Sequence, residues 1–464
     1  MYASNKRGSA LILSMFFVMI FAAIAIAFSQ MATTSIETAQ NQQKGGKALT
    51  GALSGLEFVR YWINGISVPG DVLNSNRLSY IATKLDDKFT TAGASGIERS
   101  WDGSVLRIGR VNMDSAGSQG FSAAMRQLIE DGNDVIQADI TGQSDTASRT
   151  IRVIYRFEKR GHSAFDFGIA TKGPLSMLGS VSVTGASALV DASVYIESLD
   201  VAEALYMKGN ALISGDVSIA NESGYAKLEG SPSIGGLKGE GAQSNVHKGV
   251  PVADFPTPVT APYESYCTTT ITSDAQAKSS NTWSNVKIAA NSNPTFNAQT
   301  TINGIMFIET PNVVTFGGGV TVRGMIVGDG QFTNSQAPAD QKLIFQGNVT
   351  SYPINTLPDT SQYADVRNET GTFVVAPGFA VEFHGDFASG LNGTIAANGV
   401  LMTGNAGGEI LGSIINYSDH LMSLAGSTDL FFNRSGTDQS PAGFMPTMLV
   451  VYDPQSYEEI SLGE

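Results

Sequence analysis

The chain has 464 residues, a net charge of −14, 15% charged residues, 51 glycines, 3 tryptophans and one cysteine. That length allows two or three domains with a sizeable core, and the acidic balance argues against nucleic acid or phosphate as a partner. The lone Cys267 excludes an intrachain disulfide and a cysteine-rich metal site, so stability must come from packing.

Lys6 and Arg7 stand directly before Gly8 and Ser9, and no further charge follows until Glu37. From Ala10 to Phe28 nearly every side chain is apolar, a helix of roughly 28 Å that matches the hydrocarbon thickness of a bilayer. The two cations hold the N-terminus in the cytoplasm and place everything beyond Glu37 outside it. Three fates remain open at this point. Ala25-Ile26-Ala27 offers a secretory cleavage site, the charged flank with the apolar run suffices for an uncleaved anchor, and the third fate follows from a resemblance carried by the residues around Gly8.

The third reading has a family behind it. Lys-Arg-Gly followed by Ser-Ala-Leu-Ile-Leu resembles the class III leader of type IV pilins and pseudopilins. The resemblance implies that a prepilin peptidase recognises Lys6, Arg7, Gly8 and Ser9 and cuts after Gly8, leaving a helix that later packs among other pilin subunits. Counted from Ser9, the fifth residue is Leu13, where most of the family carries a glutamate that pairs with a neighbour's N-terminal amine in apolar surroundings. Its absence resembles the PilX-type minor pilins and the large K-type minor pseudopilin, and implies a minor or tip subunit.

The helical pattern continues to about residue 64. Leu49, Ala52, Leu53, Leu56, Val59 and Ile63 recur at three- and four-residue steps, the mark of one buried face. Gly45-Gly46 costs about 1 kcal/mol per glycine and predicts a bend or a melted turn; Asn64-Gly65 and Pro69-Gly70 end the helix. Residues 65–160 read as a small α+β pilin-like domain. Its strands are Val105 to Val111, Val135 to Ile140 and Thr150 to Phe157, the last two joined by a turn at 142–145. Phe121 to Ile129 reads as a short helix with Met125, Leu128 and Ile129 inward.

From residue 161 short apolar triplets such as Val181-Ser182-Val183, Val194-Tyr195-Ile196 and Val217-Ser218-Ile219 recur about every twelve residues between Gly, Asn, Ser and Asp. This texture predicts a parallel β-helix in two parts, 161–234 and 286–464. Residues 235–285, with Pro251, Pro256, Pro258 and Pro262, read as a linker or excursion whose Asp254-Phe255-Pro256 and Tyr263 to Tyr266 strap across the coil. Met448 to Tyr452 reads as a closing strand, and the tail from Asp453 as a cover for the coil's open end.

No nucleotide loop, nucleophile elbow or metal-helix motif is present. The four histidines, His162, His247, His384 and His420, are scattered. Glu382, His384 and Asp386 alternate along Val381 to Phe387, a pattern that gives either a solvated face or a sugar- or cation-binding patch. Glu130, Asp131, Asn133 and Asp134 have the oxygen density of a calcium loop without its full spacing. The expectation is therefore a non-enzymatic, single-pass inner-membrane subunit with no obligatory cofactor, its C-terminal region periplasmic or displayed on a filament. Its partners would be a prepilin peptidase and other pilin subunits, with a surface glycan as a further one. The rival expectation is a membrane-anchored β-helix that binds or cleaves polysaccharide.

Overall fold

The computed structural model describes residues 7–94, 96–333, 335–387, 390–435 and 440–460, with side chains from residue 11 onward. The chain divides into two units, Met1–Glu158 with Met448–Glu464, and Lys159–Thr447.

In the first unit α1 runs from Arg7 to Ile63 without interruption. No turn is melted at Gly45-Gly46, because the turns that follow are seated on a sheet and their burial outweighs the glycine cost. Ala48, Ala52, Leu56, Val59 and Ile63 are buried there. Beyond α1 come β1 (Ser67–Pro69), α2 (Arg77–Thr91), β2 (Arg99–Trp101), β3 (Val105–Asn112), β4 (Gln119–Glu130), β5 (Asn133–Ser144) and β6 (Ala147–Arg160). Strands β2 to β6 form an antiparallel meander, and α2 turns Leu78, Ile81, Leu85 and Phe89 into the same core as α1.

Two further expectations fail in this unit. Phe121 to Ile129 is strand, not helix: β4 pairs with β5 residue by residue from Gln119↔Ser144 to Glu130↔Asn133. Phe121, Ala123 and Met125 point inward at the period of two that a strand imposes, while Leu128 and Ile129 are exposed. The C-terminal segment does not close the expected coil either. Residues Thr447–Ile460 form a strand inserted between β1 and β6 of this sheet. Arg156 Nε donates to Asp453 Oδ2 at 2.9 Å, and the Ile154 amide donates to Ser456 Oγ at 2.7 Å.

The second unit consists of three sheets of mostly parallel strands, visited in rotation. Ile169–Thr171 lies in the first sheet, Leu175–Gly179 in the second and Ser182–Gly185 in the third; Val194–Ile196, Glu203–Gly209 and Leu212–Ile213 then repeat the circuit. The two sequence blocks meet: Ile414, Met422 and Asp429 from the last circuit pair with Ile169, Leu175 and Ser182 of the first. A column of glycines turns the chain out of the second sheet. Gly179, Gly209, Gly230 and Gly426 are in register with φ between 85° and 104°, a conformation that favours glycine. A Cβ at Gly209 would lie 2.7 Å from the Gly179 carbonyl oxygen.

The interior is a ladder of like side chains. Phe296, Phe316, Phe345 and Phe383 stack at centroid separations of 5.2, 5.0 and 4.8 Å with near-parallel rings. The middle of the first sheet, Thr372–Ala376, Thr394–Ala397 and Ile414–Asn416, is buried on both faces, which is why these strands read as mostly apolar runs. Its outer face is covered by segments that include the expected straps: Phe255 packs on Tyr195 and Tyr417, and the Ala253 amide donates to Tyr195 Oη at 2.9 Å. Much of the remaining 235–285 segment is regular structure, not linker. The short helices α3 (Glu240–Gln243) and α4 (Asp274–Ala277) send Ala242 and Ala277 into the core beside edge strands of the sheets.

Candidate functional site

Two features stand out chemically: the uncovered half of α1, and a cavity on the outside of the second parallel sheet. From Leu11 to Gln42 every α1 residue is exposed, Leu13 by 60% and Phe17 by 54%. This stretch is long and apolar enough to cross a membrane. Of the processing residues, Lys6 lies outside the described residues, and Arg7, Gly8 and Ser9 form the first turn of α1. Ala25-Ile26-Ala27 lies within the same unbroken helix.

The proposed alternation of Glu382, His384 and Asp386 on one strand does not occur, because the strand ends at Phe383. Glu382 alone remains on its outer face, 15% exposed, where Lys342 Nζ donates to Oε1 at 2.8 Å. His384 lies past the strand end, with Nε2 3.6 Å from Glu382 and Nδ1 2.7 Å from Thr403 Oγ1. Asp386 is exposed in the following loop, its carbonyl accepting from the Val349 amide.

The structure regroups Glu382 with residues that no spacing rule would join to it. A cavity of about 290 Å³ is lined by Lys342, Ala380, Glu382, Gly399, Leu401, Asn416, Ser418, His420, Leu421, Ser423 and the 336–339 loop. Parallel register brings them together, since Glu382 pairs with Leu401 and Leu401 with Ser423. Asn416 is fully buried in the wall and its Oδ1 has no hydrogen-bond partner. A larger cleft of about 580 Å³ holds Glu369, Thr372, Ser413 and Arg434. Its polar groups serve the fold: Tyr263 donates to Glu369, Thr372 and Ser413 donate to main-chain carbonyls, and Arg434 donates to the carbonyl of Phe165.

At the suspected calcium loop, Asp131 and Gly132, both with positive φ, form the two-residue turn between β4 and β5. Glu130 is 2.7 Å from Arg156 and Asp134 is 3.3 Å from Arg77, so two of the three carboxylates face guanidinium groups. Among the described residues no group of three or more His, Cys, Asp or Glu could hold a metal. The Cys267 thiol is pushed up to about 11 by burial, which suppresses the thiolate and with it nucleophilic reactivity. His162 is buried between Asp254 Oδ2 at 2.8 Å and the Met445 carbonyl at 2.9 Å, a structural position. His247 faces Asp216 at the surface.

Comparison with known protein families finds no match, and no curated protein matches. Among solved structures, the competence-associated pilin ComZ from Thermus thermophilus aligns at 12% identity over 90% of this chain and 97% of that one. The TM-score of 0.29 is too low for that superposition to establish a shared fold.

Proposed function

We propose that this chain is a pilin-like subunit of PilX or minor-pseudopilin character, inserted in a bacterial inner membrane by α1 and carrying a large β-rich body outside it. We read that body as a three-faced parallel β-helix, a reading supported by the rotation of strands among three sheets. A prepilin peptidase acting after Gly8 and other pilin subunits are its partners, and the reading assigns the chain no catalysis.

The observation that carries this reading is the division of α1. Its C-terminal third is docked on an antiparallel sheet, whereas 32 residues from Leu11 to Gln42 touch nothing that buries them. At about 1.5 Å per residue they span roughly 48 Å, more than the ~30 Å of hydrocarbon that a plain anchor needs. Helix beyond the bilayer that is still uncovered suits packing against neighbouring helices. Leu13 fits apolar surroundings without a counter-charge, where a glutamate would need a partner.

The test is fractionation of cells that express the full chain with and without a complete pilus-assembly system. The proposal predicts the chain in the mechanically sheared filament fraction only when the system is present. Recovery solely in the detergent-extracted membrane under both conditions contradicts it.

A further inference from the structure

We propose that the cavity over the second parallel sheet binds a neutral sugar. Its floor is made of small residues: Ala380 and Gly399 sit between Lys342 on one side and Leu421 on the other. A Cβ added at Gly399 would make only ordinary contact with Ala380, at 3.4 and 3.7 Å, so nothing from another element packs down onto the floor there. Loops 336–339 and 418–421 form the rim.

The lining alternates in chemistry as a sugar ring does. Lys342 gives one ammonium proton to Glu382 and keeps others for a ligand, Glu382 offers acceptor lone pairs, and Ser423 both donates and accepts. Leu401 and Leu421, the latter 59% exposed, give an apolar wall for the C–H face of a ring. Charge selects against acidic sugars. Lys342 is already paired with Glu382, His420 contacts Asp419 at 2.7 Å, and Lys159–Thr447 holds 24 acidic residues against 13 basic ones. The volume of about 290 Å³ is near the lower bound of small-molecule sites, room for little more than one ring. The assignment is independent of the filament reading, because a chain that never enters a filament still has this cavity.

The experiment uses the full chain in a detergent without a sugar headgroup. Methyl glycosides of glucose, galactose and N-acetylglucosamine, their trisaccharides, and methyl glucuronide are tested by saturation-transfer NMR and calorimetry. The expected result is binding of at least one neutral glycoside with Kd below about 10 mM, and glucuronide weaker by about tenfold or more. Glu382→Gln and the cavity-filling Ala380→Phe should each weaken the neutral ligand by about tenfold. If Ala380→Phe fails to fold by its thermal transition, the exposed Leu421→Ala decides, with an expected loss of about threefold. A trisaccharide that binds more tightly than its monosaccharide identifies a glycan chain as the source, and equal affinities identify a free sugar; both keep the ligand class. No neutral glycoside binding below that Kd, or binding unaffected by all folded variants, overturns the proposal.

Discussion

Gly142 is the point at which the seating of α1 on its sheet can be tested most sharply. It lies in β5 with ordinary strand geometry, so a side chain there meets no backbone-strain penalty. A Cβ would instead lie 2.0 Å from the Ala48 carbonyl oxygen and 2.2 Å from the Ala52 amide nitrogen. Both are helix backbone and cannot rotate aside. Restoring ordinary contact lifts α1 by about 1.4 Å, and a gap of even 0.5–1 Å forfeits a quarter to a half of the dispersion well. Leu56, Val59 and Ile63 on the docked face are worth about 1.5–3 kcal/mol each. Gly142→Ala is therefore expected to cost about 3 kcal/mol, within the range for overpacked cores. Hydrogen exchange on the full chain reads this directly: amides 48–63 should exchange about a hundredfold faster. Gly46→Ala is the control, since a Cβ there meets nothing within 4 Å; it should slow exchange, with up to about 1 kcal/mol gained. Unchanged protection of 48–63 in Gly142→Ala would refute the close helix–sheet seating.

Three further outcomes follow from other contacts. Phe345→Ala removes the centre of the phenylalanine stack and is expected to cost about 3–5 kcal/mol in calorimetric unfolding; a loss below about 1 kcal/mol would mean that the stack carries little stability. Asp453 is held below the usual carboxylate range by its bond from Arg156 and then by the Gln455 amide. Because the folded value is the lower one, this contribution is complete above the unfolded pKa of about 3.9 and lost as pH falls through the depressed value. Protease release of the C-terminal strand should thus stay flat above about pH 5 and rise below about pH 4, while a rise centred near neutrality would contradict the assignment. The half-buried Cys267 thiol should alkylate at pH 8 at least about tenfold slower than a free cysteine; labelling at the free-cysteine rate would place it at the surface.

How much of this was legible in the sequence depended on the range of the interactions. The long helix, the β5–β6 hairpin and the repeating triplets are local signals, and each is present in the structure. Phe121 to Ile129 misled because Met125, Leu128 and Ile129 also satisfy helical spacing; only pairing with β3 and β5 on both sides decides for strand. The C-terminal strand was misplaced because its partner β6 lies some 300 residues earlier and its polar half carries no strand pattern. Glu382 was singled out with the wrong companions. Alternation suggested His384 and Asp386, but the strand stops at Phe383; Lys342 reaches Glu382 from 40 residues earlier in the chain, and Ser423, two parallel strands away, joins it in lining the cavity.

The central claim, a retained apolar helix that packs among other subunits after leader removal, is tested most directly by intact mass and N-terminal sequencing of the membrane-purified chain, with and without a prepilin peptidase. The account predicts a chain that begins at Ser9 only when the peptidase is present. A start at Met1 under both conditions, or at Phe28, would contradict it, the first leaving an uncleaved anchor and the second a released protein without the apolar helix.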